Sequence, residues 1–416
     1  MSLKFRLIIM NFLQFFIWGS WLLTIGAYWF QTKQWSGTEF GAIFSTMGIA
    51  SLFMPAVAGI LADRWINAEK LYGIFHIIAA FILFSIPAIK NPSTMFWVML
   101  VNMIFYMPTI SLSITVAYTA MKNKNMNIIT EYPPVRVWGT VGFIVALWVI
   151  SLSGFETKAA QFYVASIASL LLGIYAFTMP KCPPLSKENK KSLVSALGLN
   201  AFSLFKNTKM AMFFIFAMLL GASLQLTNAY GDTFLHDFAK IPAYKDLIAV
   251  KFPAIIMSIS QISETLFILT IPFFLRRFGI KKVMLFSMIA WVLRFGLFAY
   301  GNPAEGLWMI VLSCIIYGMA FDFFNISGSM FVETQSAPSI RASSQGLFMM
   351  MTNGFGAFLG SRISGIVIDK YFKTAEGLQW HGIWLTFAVY SLVVALLFAV
   401  FFKHKHDPKT MERAEH

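Results

Sequence analysis

The chain has 416 residues, of which 58% are hydrophobic and 12% charged, and its mean hydropathy is +0.70. Soluble domains carry about 25% charged residues, so this composition excludes an ordinary soluble enzyme and points to a chain that crosses a lipid bilayer many times. The net charge of +14 does not mark a nucleic-acid binder, because the excess lysines and arginines fall in loops on one side of the apolar runs.

Twelve apolar runs, each near the ~20 residues that a helix needs to cross hydrocarbon, fall at 7–30, 39–62, 71–90, 94–121, 135–153, 159–180, 209–230, 252–275, 283–300, 305–332, 343–368 and 381–402. The first follows Lys4 and Arg6 but is too long for a signal-peptide core, and no small-residue cleavage site follows it; it is expected to be a membrane span. Both termini share a side with the basic loops, which the positive-inside rule makes cytoplasmic. The longest loop holds Pro183, Pro184 and the stretch KENKK. An amphipathic piece at 192–205 follows, suited to lying on the membrane surface. The expected fold class is all-α, with twelve transmembrane helices in two six-helix bundles. The bundles cover residues 1–180 and 209–402, joined by a cytoplasmic linker over 181–208 and followed by a cytoplasmic tail over 403–416.

Cys182 lies in the basic linker and Cys314 within a span, so no disulfide is expected between them. No spacing of histidines and cysteines suits a metal, and neither a metal site nor an organic cofactor is expected. His76, a histidine in the interior of a span, reads as a packed and hydrogen-bonded side chain. A nucleophile paired with a base is also missing, which argues against an intramembrane enzyme. Two carboxylates, however, interrupt apolar runs: Glu264 within 252–275 and Asp322 within 305–332. A charge at the centre of an isolated membrane helix costs about 2.5–3.5 kcal/mol or more, so such residues face polar cavities and handle ions or substrate.

After the second run the chain reads GILADRWINAEK at 59–70, and after the eighth it reads IPFFLRRFGIKK at 271–282. Both are short basic turns at the same place in each half. The first resembles the signature of the major facilitator superfamily, matched by Gly59, Leu61, Ala62, Asp63 and Arg64. Ile66 and Asn67 replace the usual glycine and first basic residue. The resemblance implies that Gly59, Asp63 and Arg64 form a gating motif, with the aspartate bracing a cytoplasmic gate.

Further strings resemble the bacterial nucleoside:proton symporters within that superfamily. They are FLQFFIWGSW at 12–21, PPVRVWGTVGF at 133–143, KMAMFFIFAMLLGASLQLTN at 209–228, SISQISETLFILTIPFFL at 258–275, YGMAFDFFNISGS at 317–329 and GLFMMMTNGFG at 346–356. The resemblance runs from end to end. It implies proton-coupled import of nucleosides across the bacterial inner membrane by a monomer, through the rocking of two bundles. The runner-up is a permease for a narrower or different substrate, such as xanthosine or a sugar.

A nucleoside offers hydroxyls on its sugar and a flat aromatic base, so a carrier needs bidentate polar side chains and an aromatic wall. Gln225 with Asn228, and Gln261 with Glu264, are each spaced i,i+3, on one face of a helix. At 1.5 Å per residue Glu264 lies about 18 Å from the start of its span, close to the midplane. Arg136 and Thr140 are spaced i,i+4. Hydropathy alone puts Arg136 near the cytoplasmic end of its span, where its side chain would reach out to the interface; the resemblance implies that both residues belong to the substrate site. Phe143, Tyr317 and Phe321 are candidates for the aromatic wall, while Trp18 and Trp21 suit packing as well as substrate contact. Asp322 is the first candidate to carry the coupling proton, with Arg294 of the preceding span as its partner and Glu264 as the rival. An acid in an apolar span is costly while charged and cheap once protonated, so changes in access can load and unload it. Gly356 and Gly360 form a GxxxG pattern that suits close helix packing.

Overall fold

Helix starts are written into this sequence by side chains that accept the free backbone N–H groups of a first turn. Ser36 and Glu39 form a reciprocal capping box, and Asn91 accepts from the Thr94 amide at 2.8 Å just before Pro92. Asn207 accepts from the amides of Lys209 and Met210 at 3.0 and 3.2 Å. In the computed structural model, which describes residues 2–184, 199–337, 340–375 and 377–404, the helices are α1 (Leu3–Gly19), α2 (Gly37–Arg64), α3 (Ala68–Ser85), α4 (Pro92–Lys122), α5 (Ile128–Leu152) and α6 (Ala160–Ala176). They continue with α7 (Thr208–Asp237), α8 (Pro253–Ile268), α9 (Ile271–Tyr300), α10 (Leu307–Gln335), α11 (Arg341–Met349), α12 (Ala357–Tyr371) and α13 (Trp380–Phe401). A π-helical stretch, Met350–Gly356, joins α11 to α12.

Among the described residues, eight helices are long and apolar enough to cross a membrane: α2 to α5, α7, α9, α10 and α13, with α6 and α8 shorter. The burial pattern fits a lipid environment. Phe81, Phe84, Trp97, Ile167 and Leu171 are exposed, whereas Gln14, His76, Thr109, Arg294 and Asp322 are buried. Hydrocarbon accepts apolar side chains freely and charges only at a large cost, so the polar groups turn inward.

Two expected spans depart from their hydropathy boundaries. The first, at 7–30, breaks after Gly19, because the Ser20 hydroxyl bonds back to the Phe16 carbonyl at 2.8 Å and competes with the helical ladder. The chain then resumes as Ile25–Ala27 and a π-helical stretch, Tyr28–Lys33. The run at 252–275 appears as α8, a two-residue interruption, and the first turns of α9; Pro272 has no N–H to give the Ile268 carbonyl, so the helical ladder cannot run on unbroken. Within α9 the helix is interrupted at Gly279, whose φ of 75° suits glycine. The amphipathic piece expected at 192–205 is described only from residue 199, where Leu199–Lys206 is a 3-10 helix. The expected tail lies outside the described residues from residue 405 onward.

The chain divides into two compact units, Met1–Leu199 and Asn200–His416. In the first, α1 lies against α5 through glycines: a Cβ at Gly142 would collide with the Phe12 carbonyl, and one at Gly19 would lie 2.6 Å from the Phe143 carbonyl. In the second, α7 meets the π-helical stretch and α12 in the same manner. A Cβ at Gly221 would strike the Thr352 carbonyl, and those at Gly356 and Gly360 would lie 2.5 Å from the Met218 carbonyl and 2.6 Å from the Ala222 Cα. The GxxxG pattern is therefore a packing device. Since backbone atoms cannot yield as a flexible side chain can, Gly142→Val is expected to cost about 3 kcal/mol.

The start of the linker is pinned to the first unit. Glu69, buried near the N-terminus of α3, accepts from the Cys182 amide at 2.8 Å and from Asn67 Nδ2 at 3.0 Å, while the Ala68 amide donates to the Cys182 carbonyl at 3.0 Å. Both cysteines are free and buried. Burial, and then the nearby Glu69 carboxylate, push the Cys182 thiol up to about 12. Cys182 is therefore expected to resist maleimide at neutral pH until the first unit unfolds, since the thiolate is the reactive form. Maleimide labelling during heating measures this directly, and the same readout should show Gly142→Val opening at a lower temperature.

Candidate functional site

In the first unit the predicted substrate residues lie on α5, which packs against α1. The helix begins at Ile128, earlier than hydropathy suggests, and includes Pro133 and Pro134. This places Arg136 and Thr140 about 12 and 18 Å along it. The Arg136 guanidinium stacks 4.0 Å from the centre of the Phe15 ring, in space left by Gly139, where a Cβ would lie 2.6 Å from its Nη1. The guanidinium also lies within Coulombic reach of Tyr106 and Tyr132. Phe143 is buried one turn beyond Thr140.

A polar network absent from the sequence predictions fills the interior of this unit. Gln14 Oε1 accepts from Tyr72 at 2.7 Å and from His76 Nε2 at 2.9 Å, and Gln14 Nε2 donates to Thr109 at 2.9 Å. The Tyr106 hydroxyl donates to the Gln14 carbonyl at 2.7 Å, and Ser169 donates to the His76 carbonyl at 2.8 Å. His76 is thus packed and bonded, as its surroundings in the sequence suggested. Trp18 rests 5.8 Å from the Tyr106 ring, and its indole N–H has no partner among the described residues. The signals for this network were Gln14 and His76, each a polar side chain in an apolar run.

In the second unit the predicted residues come from α7, α8, α9 and α10. Tyr317 and Phe321 stack with ring centres 5.8 Å apart and planes 5° from parallel, and Trp291 meets Tyr317 edge-on at 5.9 Å. Tyr317 lies within Coulombic reach of Glu264, Arg294 and Asp322, and Asp322 within reach of Glu264. Buried polar atoms without a protein partner among the described residues include Gln225 Oε1, Gln261 Oε1, Asp322 Oδ2 and Arg294 Nη2. Asn228 is half-buried on the same face of α7, one turn from Gln225.

Arg294 is fully buried, and among the described residues it forms no ion pair with Asp322. Its Nε donates to Thr227 at 2.8 Å, and its Nη1 donates to the Ser313 carbonyl at 2.7 Å and to Ser260 at 3.4 Å. Its guanidinium sits 4.7 Å from the centre of the Tyr317 ring. Arg294 therefore ties α9 to α7, α8 and α10, and reaches the acids through the Tyr317 ring rather than by a direct bridge. Thr227, Ser260 and Ser313 escaped prediction because hydroxyl residues are common in membrane helices and mark no site by themselves.

The motif at 59–70 closes α2. Asp63 is exposed, Arg64 is half-buried, and a Cβ at Gly59 would meet nothing within 4 Å. Packing within the first unit does not demand a glycine there.

Known proteins resemble this chain along its whole length. The family model described as "Nucleoside H+ symporter" matches residues 1–407. The xanthosine permease of Escherichia coli (strain K12) is 53% identical over 413 residues, covering 99% of each chain. The nucleoside permease NupG of the same organism is 53% identical over 408 residues, covering 98% of this chain and 97% of its own. A crystal structure of the nucleoside transporter NupG superposes with a TM-score of 0.92 at 52% identity, covering 97% of this chain and 100% of that one. An all-helical fold, apolar helices long enough to span a membrane, and relatives that are transporters rather than enzymes agree with one another. The chain belongs to the nucleoside H+ symporter family of membrane transporters.

Proposed function

We propose that the protein imports nucleosides together with protons across the bacterial inner membrane by alternating access. The observation that carries this reading is that Gln225, Gln261, Asp322 and Arg294 each carry a buried polar atom without a protein partner among the described residues, Asp322 and Arg294 lying next to the stacked Tyr317 and Phe321 rings. Buried polar groups in native proteins are nearly always paired, so such a cluster next to an aromatic wall calls for a ligand with hydroxyls and a flat ring. A nucleoside supplies both.

Gln225, Asn228, Gln261 and Glu264 bind sugar hydroxyls or the base edge, Tyr317 and Phe321 stack on the base, and Arg136, Thr140 and Phe143 are the substrate-binding residues of the first unit. Asp322 carries the coupling proton. Glu264 and Arg294 tune it: Glu264 opposes a second negative charge nearby, and Arg294 supplies positive charge across the Tyr317 ring. Gly59, Asp63 and Arg64 serve the cytoplasmic gate. The chain works as a monomer of twelve spans, two six-helix bundles over 1–180 and 209–402, with both termini in the cytoplasm.

The equal identity to a xanthosine permease and a nucleoside permease favours a second reading, a carrier of narrower range. Uptake of radiolabelled uridine, adenosine and xanthosine into proteoliposomes, with and without an inward proton gradient, separates the two. Gradient-driven accumulation of uridine and adenosine is the expected result. Accumulation of xanthosine alone would establish the narrow carrier, and no uptake of any nucleoside by folded protein would overturn both readings.

A further inference from the structure

Within the second unit a small cavity of about 20 Å³ opens beyond the stacked aromatic pair, lined in part by Phe321, Trp291, Asn325, Thr352 and Asn353. It lies near the middle of the unit, since Gly221 and Leu224 of α7 and Ala320 and Phe324 of α10, which also line it, fall about halfway along their helices. Asn325 follows Phe321 by one turn of α10, about 6 Å along the helix. Asn353 sits on the π-helical stretch Met350–Gly356, and such bulges often mark functional positions.

Both carboxamides are under-used. Among the described residues, Asn325 spends one N–H on the Phe321 carbonyl at 3.1 Å, and Asn353 makes only a weak 3.5 Å contact from Nδ2 to Met349 Sδ. A carboxamide has two donor hydrogens and an acceptor oxygen with two lone pairs, so each retains an unused acceptor and donor capacity. Thr352 has given its hydroxyl hydrogen to the Phe348 carbonyl at 3.0 Å and can only accept. The cavity is large enough for one water or one exocyclic group, and too small for a whole base.

We propose that Asn325 and Asn353 read the exocyclic edge of a nucleobase stacked on Phe321, with only its exocyclic group entering the cavity, and that their dual donor and acceptor character sets the breadth of base selection. This rests on the nucleoside reading above. Because an amide side chain can present either its oxygen or its nitrogen, the pair serves bases that carry an amino group as well as bases that carry a carbonyl. Cytidine and uridine differ at that edge, amino against carbonyl, and share the same ribose. A carboxylate can only accept, so it should favour cytidine.

The test is counterflow exchange of cytidine and uridine in proteoliposomes without a proton gradient, comparing the unaltered protein with Asn353→Asp and Asn325→Asp. The unaltered protein is expected to exchange both. In Asn353→Asp the cytidine-to-uridine rate ratio should rise about tenfold, the effect of one mismatched hydrogen bond, and Asn325→Asp should move it the same way. Ratios unchanged within about twofold, in variants that still exchange, would overturn the proposal while leaving the nucleoside reading intact. Failure of the unaltered protein to exchange either nucleoside would instead remove both. If the aspartate variants do not fold, Asn353→Leu keeps the volume and removes both functions. It should raise the half-saturation for both nucleosides about tenfold, and unchanged half-saturation there would equally overturn the proposal.

Discussion

Asp322→Asn is expected to abolish accumulation of nucleoside against its gradient while leaving exchange of nucleoside for nucleoside in place. Asparagine resembles the protonated acid in size and carries no charge, so the variant should behave as a carrier locked in its loaded form. With one proton per nucleoside, each pH unit of inward gradient supports about tenfold accumulation; in the variant the internal and external concentrations should become equal. Asp322 is 4% exposed and its Oδ2 has no protein partner, so the substitution breaks no hydrogen bond at that atom. Glu264 provides the control. Glu264→Gln should weaken nucleoside binding yet retain gradient-driven accumulation, because Glu264 is assigned first to the substrate. If Asp322→Asn still accumulates and Glu264→Gln does not, the proton belongs to Glu264.

Gln225→Met and Gln261→Met should make the empty protein more stable and the transporter worse. A buried acceptor without a partner costs about 1–3 kcal/mol, and an apolar side chain of similar length removes that cost. Each variant should therefore melt about 2 °C higher, while half-saturation for uridine rises about tenfold or more. The opposite signs matter. Were these glutamines holding helices together by hydrogen bonds, as amides often do in membranes, the same substitutions would lower the melting temperature. Melting curves in detergent with and without uridine give both quantities in one experiment.

The positions on α7, α8 and α10 were legible because hydrocarbon is an unforgiving background. A glutamine, a glutamate or an aspartate in an apolar run stands out, and helical spacing gathers such residues on a face. Arg136 was harder to place. The polar stretch ITEYPP before it reads as a loop, yet the helix begins at Ile128 and carries the arginine inward. The break after Gly19 was invisible because no charged residue or proline interrupts the stretch from Trp18 through Ile25. The partners of Arg294 were beyond sequence reasoning for another reason: Thr227, Ser260 and the Ser313 carbonyl come from three different helices. The partners of Gln14 come from two helices and lie 58, 62 and 95 residues away, in Tyr72, His76 and Thr109. Polar groups paired across a folded interior leave little trace in a linear pattern.

Symport requires proton movement that depends on nucleoside, and this can be watched without any radiolabel. In lightly buffered proteoliposomes with no imposed gradient and the membrane potential clamped by valinomycin, uridine added outside should drive protons inward, alkalinising the outer medium. Asp322→Asn should give no such signal. Uridine entry without proton movement in the unaltered protein would contradict the account, leaving a passive nucleoside carrier in place of a proton-coupled one.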